Sequence, residues 1–441
     1  MEIRLPEKVD IIINTIQSAG FEAYAVGGCV RDSILGREPG DWDITTSAMP
    51  QQVKELFAKT FDTGIEHGTV TVLLGREGFE VTTYRIDGEY EDSRHPKNVF
   101  FTRSLSEDLK RRDFTINAMA YNNESGIVDI FGGMEDLKKG IIRCVGDARE
   151  RFHEDALRML RAVRFAAQLG FEIEEKTGEA IRKLALDLSN ISAERIQVEL
   201  VKMAVAPHPE CIELACDLGI TNVILPEFDA MMATKQETPH HKYNVGVHTI
   251  KSMEAVRPEK VLRLTMLLHD CAKPLMKTVD SAGVAHFKGH DVKGEEVAKK
   301  ILKRLKFDND TMRKVCRLVR WHDYRMPAKM LEVRRAMYKI GEDLFPSYLE
   351  VRKADLAAQG DYLREEKENN IRGIEACYRE ILEKKQCVSL KNLAVSGNDL
   401  IEAGMSPGRE IGETLNKLLD YVIEHPEANR KEDLLGLLKT I

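Results

Sequence analysis

The chain of 441 residues is short of several things, and each shortage excludes something. Aromatic residues are 6% of it, against 43% hydrophobic and 31% charged, a balance that fits a soluble, helix-rich protein. No apolar run approaches the length that spans a bilayer, so no transmembrane helix is expected. Met1-Glu2-Ile3-Arg4 lacks the apolar core of a signal peptide. The eight cysteines form no C-x-x-C pair, which argues against a disulfide framework or a zinc site and for reduced thiols in a cytoplasmic protein. Basic excess is missing too. With a net charge of -7, any surface for a polyanion must be a local patch. The length suggests roughly three domains.

What is present starts near Gly40-Asp41-Trp42-Asp43-Ile44. In an extended strand Asp41 and Asp43 point to one face, and two carboxylates that close need a cation to offset them. A hard divalent ion such as Mg²⁺ suits such a pair, although Pro39-Gly40-Asp41 alone also reads as a polar turn. The neighbours favour the metal reading. Residues 7–19 form an amphipathic helix pattern, and the run Tyr24–Val26 then enters Gly27-Gly28 and a helix through Leu35. Strand, glycines and helix start make a phosphate cradle, with Arg31 as a charged donor. Residues 49–60 read as helix, and 68–74 and 79–85 as two strands joined by a turn. Glu80 opens the second strand and is a candidate third carboxylate.

Residues 86–108 are polar and read as a flexible loop. Arg111-Arg112-Asp113 then precedes an apolar stretch read as a helix, with Asp113 suited to its N-terminus and the arginines either solvated or reaching a phosphate chain. In Glu154–Phe165, helical spacing sweeps Asp155, Arg158, Arg161 and Arg164 over half of the helix surface. That face is either a salt-bridged solvent face or a set of groups that read a base edge and bind phosphates.

These stretches resemble the bacterial tRNA nucleotidyltransferase and poly(A) polymerase family, the class II branch of the polymerase-β-like superfamily. The residues that carry the resemblance are Gly27–Asp32, Asp41-Trp42-Asp43, Arg111–Ala118, Glu154-Asp155-x-x-Arg158 and Ser192–Ile196. The resemblance implies that Asp41 and Asp43 hold Mg²⁺ and that Glu80 assists the primer 3′-hydroxyl. It implies that Gly28, Arg31 and Arg112 contact the triphosphate. Asp155 and Arg158 would act as a protein template accepting CTP or ATP, with Arg161 and Arg164 completing the pocket. The implied reaction is addition of C, C and A to the 3′ end of tRNA by two-metal nucleotidyl transfer. Within the family, the full 86–108 loop argues against a CC-only enzyme and leaves A-only addition and poly(A) synthesis as alternatives. An inactive RNA-binding scaffold is an alternative of another class, and paired metal carboxylates speak against it.

The second half reads as mainly helical and carries a different ligand set. His248, His269-Asp270 and Asp355 resemble the ligand pattern of an HD phosphohydrolase domain, with His290 and His322 at the places where two-metal versions add ligands. Histidine with carboxylate suits a transition metal such as Mn²⁺, Ni²⁺, Co²⁺ or Fe²⁺. Such a centre would hydrolyse phosphoesters, among them 2′,3′-cyclic phosphates or 2′-nucleotides. The alternative is a degenerate domain kept as scaffold.

The expected fold is therefore α+β. A nucleotidyltransferase head with a small mixed β-sheet (1–148) is followed by an all-α neck (149–206), a body with the HD domain (207–388) and a tRNA-binding tail (389–441).

Overall fold

The structure is a computed structural model and describes residues 2–88 and 99–438. It divides by packing into two compact units, Met1–Pro226 and Glu227–Ile441.

The first unit holds a seven-stranded mixed sheet. Its order is β3 (Thr60–Gly64), β4 (Thr69–Leu74), β5 (Glu77–Thr83), β2 (Ile44–Thr46), β1 (Ala23–Val26), β8 (Met119–Asn122) and β9 (Gly126–Asp129). Only β2 and β5 run parallel; the other neighbours are antiparallel. Helix α1 (Glu7–Ser18) buries Val9, Ile12, Ile13 and Ile16, the face its spacing predicts. Strand β4 buries Val70 and Val72 in alternation. It turns into β5 through Gly75-Arg76, with Gly75 at φ +67°, which a two-residue hairpin needs. Helix α2 (Gly28–Ile34) follows β1 directly.

Several local expectations are corrected. The helix expected over 49–60 is α3 (Pro50–Leu56); 57–59 are irregular and Thr60 already belongs to β3. The loop expected over 86–108 has regular structure in its described residues. It contains β6 (Arg85–Asp87) paired with β7 (Val99–Phe101) and the start of α4 (Leu105–Lys110), while 89–98 lie outside the described residues. The apolar stretch after Asp113 is no helix. A single 3-10 turn, Thr115–Asn117, leads into β8, because Phe114 to Ala120 is completely buried beside β1 and supplies sheet pairing.

Beyond α5 (Gly133–Lys139), helices α6 (Ala148–Glu154), α7 (Leu157–Leu169), α8 (Glu175–Leu184) and α9 (Ala193–Ala204) form the helical stretch expected as the neck. It is not entirely helical, since Glu172–Ile173 pairs in parallel with Ile141–Ile142. The second unit is helical apart from a ribbon of Thr278–Val279 with Ala285–His286. Its long helices pack through Leu318, Met337, Phe345 and Tyr348. Its C-terminal part has a separate small core around Leu400, Leu418, Leu419 and Val422. Among the described residues no helix is long and apolar enough to cross a membrane, and all eight cysteines are free.

Candidate active site and a second histidine–aspartate centre

Sheet register sets the carboxylates. Ile44 pairs with Ala25 on one side and with Val81 on the other. One step back, the Asp43 carbonyl accepts from the Val26 amide at 3.0 Å, and Glu80 precedes Val81 on the opposite flank. The aspartates thus lie on an extended lead-in to β2 rather than within it. Asp41, Asp43 and Glu80 line one cleft of about 710 Å³. Desolvation raises the pKa of Asp43, Asp41 and Glu80 add to the rise by like charge, and Arg112 opposes it. Acids that repel in one open cleft form an oxygen donor set suited to a divalent cation. Among the described residues they do not close into a tight three-ligand cluster.

The basic residues gather behind this cleft. Gly27, at φ +86°, brings the chain so near Arg112 that a Cβ there would stand 2.9 Å from its Nη1. The buried Nε of Arg112 lacks a hydrogen-bond partner among the described residues. Arg31, in α2, donates to Asp32 at 2.9 Å and to Asn117 Oδ1 at 2.6 Å. Arg161 donates to Asp113 Oδ2 at 2.9 and 2.7 Å, and Arg164 meets Glu199 at 2.7 Å. The guanidinium groups of Arg31, Arg161 and Arg164 surround the Phe165 ring at 5.1, 5.4 and 3.8 Å. Burial pushes Asp113 up, but Arg161 overcomes it and holds this carboxylate at about 2. Asp113 Oδ1 also accepts from the Phe114 amide at 2.9 Å and the Asn117 side chain at 3.2 Å, but the 3-10 turn itself has Phe114 at its N-cap and no side-chain cap.

Asp155 and Arg158 do not share one continuous helix. The chain leaves α6 at Asp155 (φ -145°, ψ 101°) and re-enters helix as α7, with Asp155 Oδ1 accepting from the Leu157 amide at 3.1 Å. The other oxygen accepts from Arg195 at 2.7 Å. Arg158 is buried and donates to Glu154 at 2.5 Å, to the Arg151 carbonyl at 3.1 Å and to the Arg111 carbonyl at 3.0 Å. The polar face read as sweeping outward is therefore largely turned into the protein, each arginine held by carboxylates or carbonyls.

Asp108 escaped the sequence reading, being placed in a loop. It is wholly buried, accepts from Arg111 at 2.8 Å, Thr45 at 3.2 Å and the Arg85 amide at 3.4 Å, and stands 3.6 Å from Arg112. Burial alone would raise its pKa, yet Arg111 and Arg112 bring it below the ordinary carboxylate value. Its one local signal is an acid inside the pattern Leu105–Leu109. Glu199, the partner of Arg164, gave none.

In the second unit, five helical segments converge on Asp270. His248 comes from Val245–Glu254, His269 and Asp270 from the end of Lys260–Leu268, and His290 from the start of His290–Arg304. His322 ends Asn309–Trp321, and Asp355 lies in Phe345–Ala357. Asp270 Oδ2 is 3.2 Å from His269 Nε2 and 3.6 Å from His248 Nε2. Its Oδ1 is 3.6 Å from His290 Nε2 and 3.5 Å from His322 Nε2. Asp355 stands 3.0 Å from His248 Nε2. Each histidine turns Nδ1 to a backbone carbonyl: Ala358 at 3.3 Å, Met266 at 2.7 Å, Phe287 at 2.8 Å and Val319 at 2.7 Å. Carbonyls only accept, so Nδ1 carries the hydrogen and the bare Nε2 atoms face one another. Two groups, His248–His269–Asp270 and Asp270–His290–His322, have ligand atoms close enough for a metal ion. Asp270 belongs to both. Desolvation opposes ionisation of Asp270, and the Lys273 ammonium beside it favours the charged form. Lys273, missed in the sequence, forms an ion pair with Asp270 at 2.7 Å and donates to Gln236 at 2.8 Å. Its position three residues after Asp270 is the signal that was available.

Three family models match in turn. The poly(A) polymerase head domain covers residues 23–143, the probable RNA and SrmB-binding site of polymerase A covers 170–232, and the putative tRNA nucleotidyltransferase domain 2 covers 290–438. The CCA-adding enzyme of Lactobacillus helveticus is 38% identical over 416 residues, 93% of this chain and 91% of that protein. The chain belongs to the CCA-adding enzyme family. Another member, from Levilactobacillus brevis, is 36% identical over 98% of both chains. The crystal structure of the Bacillus stearothermophilus CCA-adding enzyme in complex with CTP superposes with a TM-score of 0.70 at 28% identity, covering 99% of this chain and 98% of that one. The Thermotoga maritima CCA-adding enzyme complexed with tRNA shares the fold, with a TM-score of 0.60 at 21% identity and full coverage of both chains. The α+β architecture, a mixed-sheet head followed by helices, is that of the family.

Proposed function

We propose that the protein adds C, C and A to the 3′ end of tRNA from CTP and ATP without a nucleic-acid template. The observation that carries this reading is that Asp43 and Glu80 each stand one residue before the paired Ile44 and Val81 and line one cleft with Asp41, with Arg112 acting on Asp43. The reaction joins the primer O3′ to the α-phosphorus and releases pyrophosphate. Asp41 and Asp43 hold the divalent ion, Mg²⁺, and Glu80 orients the primer hydroxyl. Mg²⁺ supplies charge neutralisation at the α-phosphate and acidifies the attacking hydroxyl when bound. Gly28, Arg31 and Arg112 receive the triphosphate. Asp155 and Arg158 present the base-reading edge, steadied by Arg195 and Glu154, and Arg161 and Arg164 complete the pocket around Phe165. A base that leaves one buried polar group unpaired costs about 1–3 kcal/mol, enough for selection.

The head, neck, body and tail boundaries at 148, 206 and 388 are retained as functional divisions, although packing divides the chain at Pro226. The free thiols and the proposed tRNA substrate support a cytoplasmic location.

The same chain carries a second reading, favoured by the bare imidazole nitrogens around Asp270. His248, His269, Asp270 and Asp355, with His290 and His322, fit two transition-metal ions that would supply Lewis acidity for phosphoester hydrolysis. Suitable ions are Mn²⁺, Ni²⁺, Co²⁺ or Fe²⁺.

The test incubates the protein with tRNA lacking its last three nucleotides, Mg²⁺ and labelled CTP and ATP. Addition of C, C and A followed by a stop is expected, and long A tails would replace this reading with poly(A) synthesis. For the second centre, Mn²⁺-dependent hydrolysis of 2′,3′-cyclic AMP is expected, and activity unchanged in His269→Ala would refute it.

A further inference from the structure

The cavity over the Asp270 cluster, about 410 Å³, is lined by Asp270, His290, His322 and Asp355 on one side. The same cavity is also lined by Lys367, Arg325, His240 and Asp323. A second cavity of about 360 Å³ continues from it, sharing Lys367, Arg325 and His240 and adding Arg352 and an apolar wall of Leu356, Leu363 and Ile371. Asp323, which lines both cavities, stands 3.2 Å from Arg325 and 3.7 Å from Arg352, and Glu366 lines the second cavity, so the cation left without a carboxylate here is Lys367. Lys367 Nζ donates to Gln359 Oε1 at 2.9 Å and meets His240 Nδ1 at 3.2 Å, both neutral partners. Among the described residues no carboxylate lies within ion-pair distance of it. Its ammonium is disfavoured first by desolvation and next by Arg325, with Asp355 a partial offset. His240 is lowered for the same reasons, by burial and then by Lys367 and Arg325. A half-buried lysine kept among like charges and neutral acceptors is a site whose missing partner is an anion. The apolar wall beside it suits a base or sugar face.

We propose that Lys367, with Arg325 and His240, forms a second phosphate subsite, so that the ligand of the Asp270 centre is a nucleotide bearing two separate phosphates, one at the cluster and a non-reacting one at Lys367. This rests on the metal-hydrolase reading of the cluster and deepens it. The ester bond broken is at the first phosphate; water adds its oxygen to that phosphorus and its hydrogen to the leaving hydroxyl. Two sources share this chemistry, a free nucleoside bisphosphate and an RNA end whose last phosphodiester supplies the second anion.

The test uses the full-length protein with Mn²⁺ and three probes: adenosine 3′-monophosphate, adenosine 3′,5′-bisphosphate and the dinucleotide ApAp with a 3′-phosphate. The wild type is expected to show a KM about tenfold lower for the bisphosphate or ApAp than for the monophosphate, the worth of one charge-assisted contact. Lys367→Gln removes that advantage, leaves kcat and the monophosphate KM within about twofold, and Lys367→Arg restores it. Lys367 dependence for ApAp alone identifies the RNA end, and for both probes the free nucleotide suffices. Equal KM values in the wild type, or an advantage that survives Lys367→Gln, overturn the subsite. If the wild type retains no Mn²⁺ and cleaves none of the probes, the metal reading is what has failed. Calorimetric binding of the bisphosphate to wild type and Lys367→Gln then decides the subsite on the same terms, since binding in the head is common to both proteins.

Discussion

The two sites of this chain solve opposite problems of charge. In the head, Asp41, Asp43 and Glu80 line an open cleft without closing on one another, while Arg31, Arg158, Arg161 and Arg164 are already engaged by the protein's own carboxylates and carbonyls. Around Asp270 the ligand atoms have converged to 3.0–3.6 Å, are buried, and are locked from behind by four backbone carbonyls. A site that exchanges nucleotide and primer at every cycle leaves its acids apart and keeps its cations pre-paired. On the proposed reading, a site for resident ions brings its donors together before the ions arrive.

The sharpest way to break this contrast is Asp43→Ala. Loss of the cation floor is expected to cost several kcal/mol at the transition state, about 10³-fold in CMP and AMP incorporation, with Mn²⁺-dependent hydrolysis unchanged. A parallel loss of hydrolysis would show that the centres are not independent. His269→Ala runs the other way. Hydrolysis should fall about 10²-fold or more and bound metal per chain should drop, read by elemental analysis, while CCA addition stays within about twofold.

The sequence made these two sites unequally legible. Asp41, Asp43, Gly27-Gly28, His269-Asp270 and the isoleucines of α1 stand in short local patterns, and local patterns survive folding. Arg158 and Asp155 were assigned to one helical face because helical spacing cannot reveal a chain break at Asp155, which is fixed by Arg195 forty residues later. The stretch Phe114–Ala120 looked helical from its apolar run and became sheet through pairing with β1, a contact ninety-odd positions away. Asp108 looked like a loop residue because its three donors come from elsewhere in the fold.

Arg195→Ala sharpens the comparison on the head side. Removing a charge-assisted bond costs about 1.5–3 kcal/mol, so discrimination of CTP over UTP is expected to fall about tenfold, with a smaller change in kcat for CTP. The smallest effect expected is that of Asp43→Asn on stability. The folded-state pKa of Asp43 lies above its unfolded value, so the unfolded chain releases this proton first. Stability therefore falls as pH rises from the unfolded value through the folded one, and the deficit is constant above that. At neutral pH, without divalent ions, the asparagine variant should melt slightly higher than wild type. Mg²⁺ should raise the wild-type melting temperature and leave the variant's nearly unmoved. A lower melting point for the variant in metal-free buffer would contradict the repulsion assigned to the aspartates.

Asp108 has a mechanical consequence. One carboxylate grips the hydroxyl of Thr45 in β2, the amide of Arg85 where the β6–β7 ribbon begins, and the guanidinium of Arg111, whose own carbonyl receives Arg158. The β6–β7 ribbon, strand β2 and Arg158 are thereby tied to a single carboxylate. Along this chain of bonds a tilt of the ribbon is expected to reach Arg158 as a displacement.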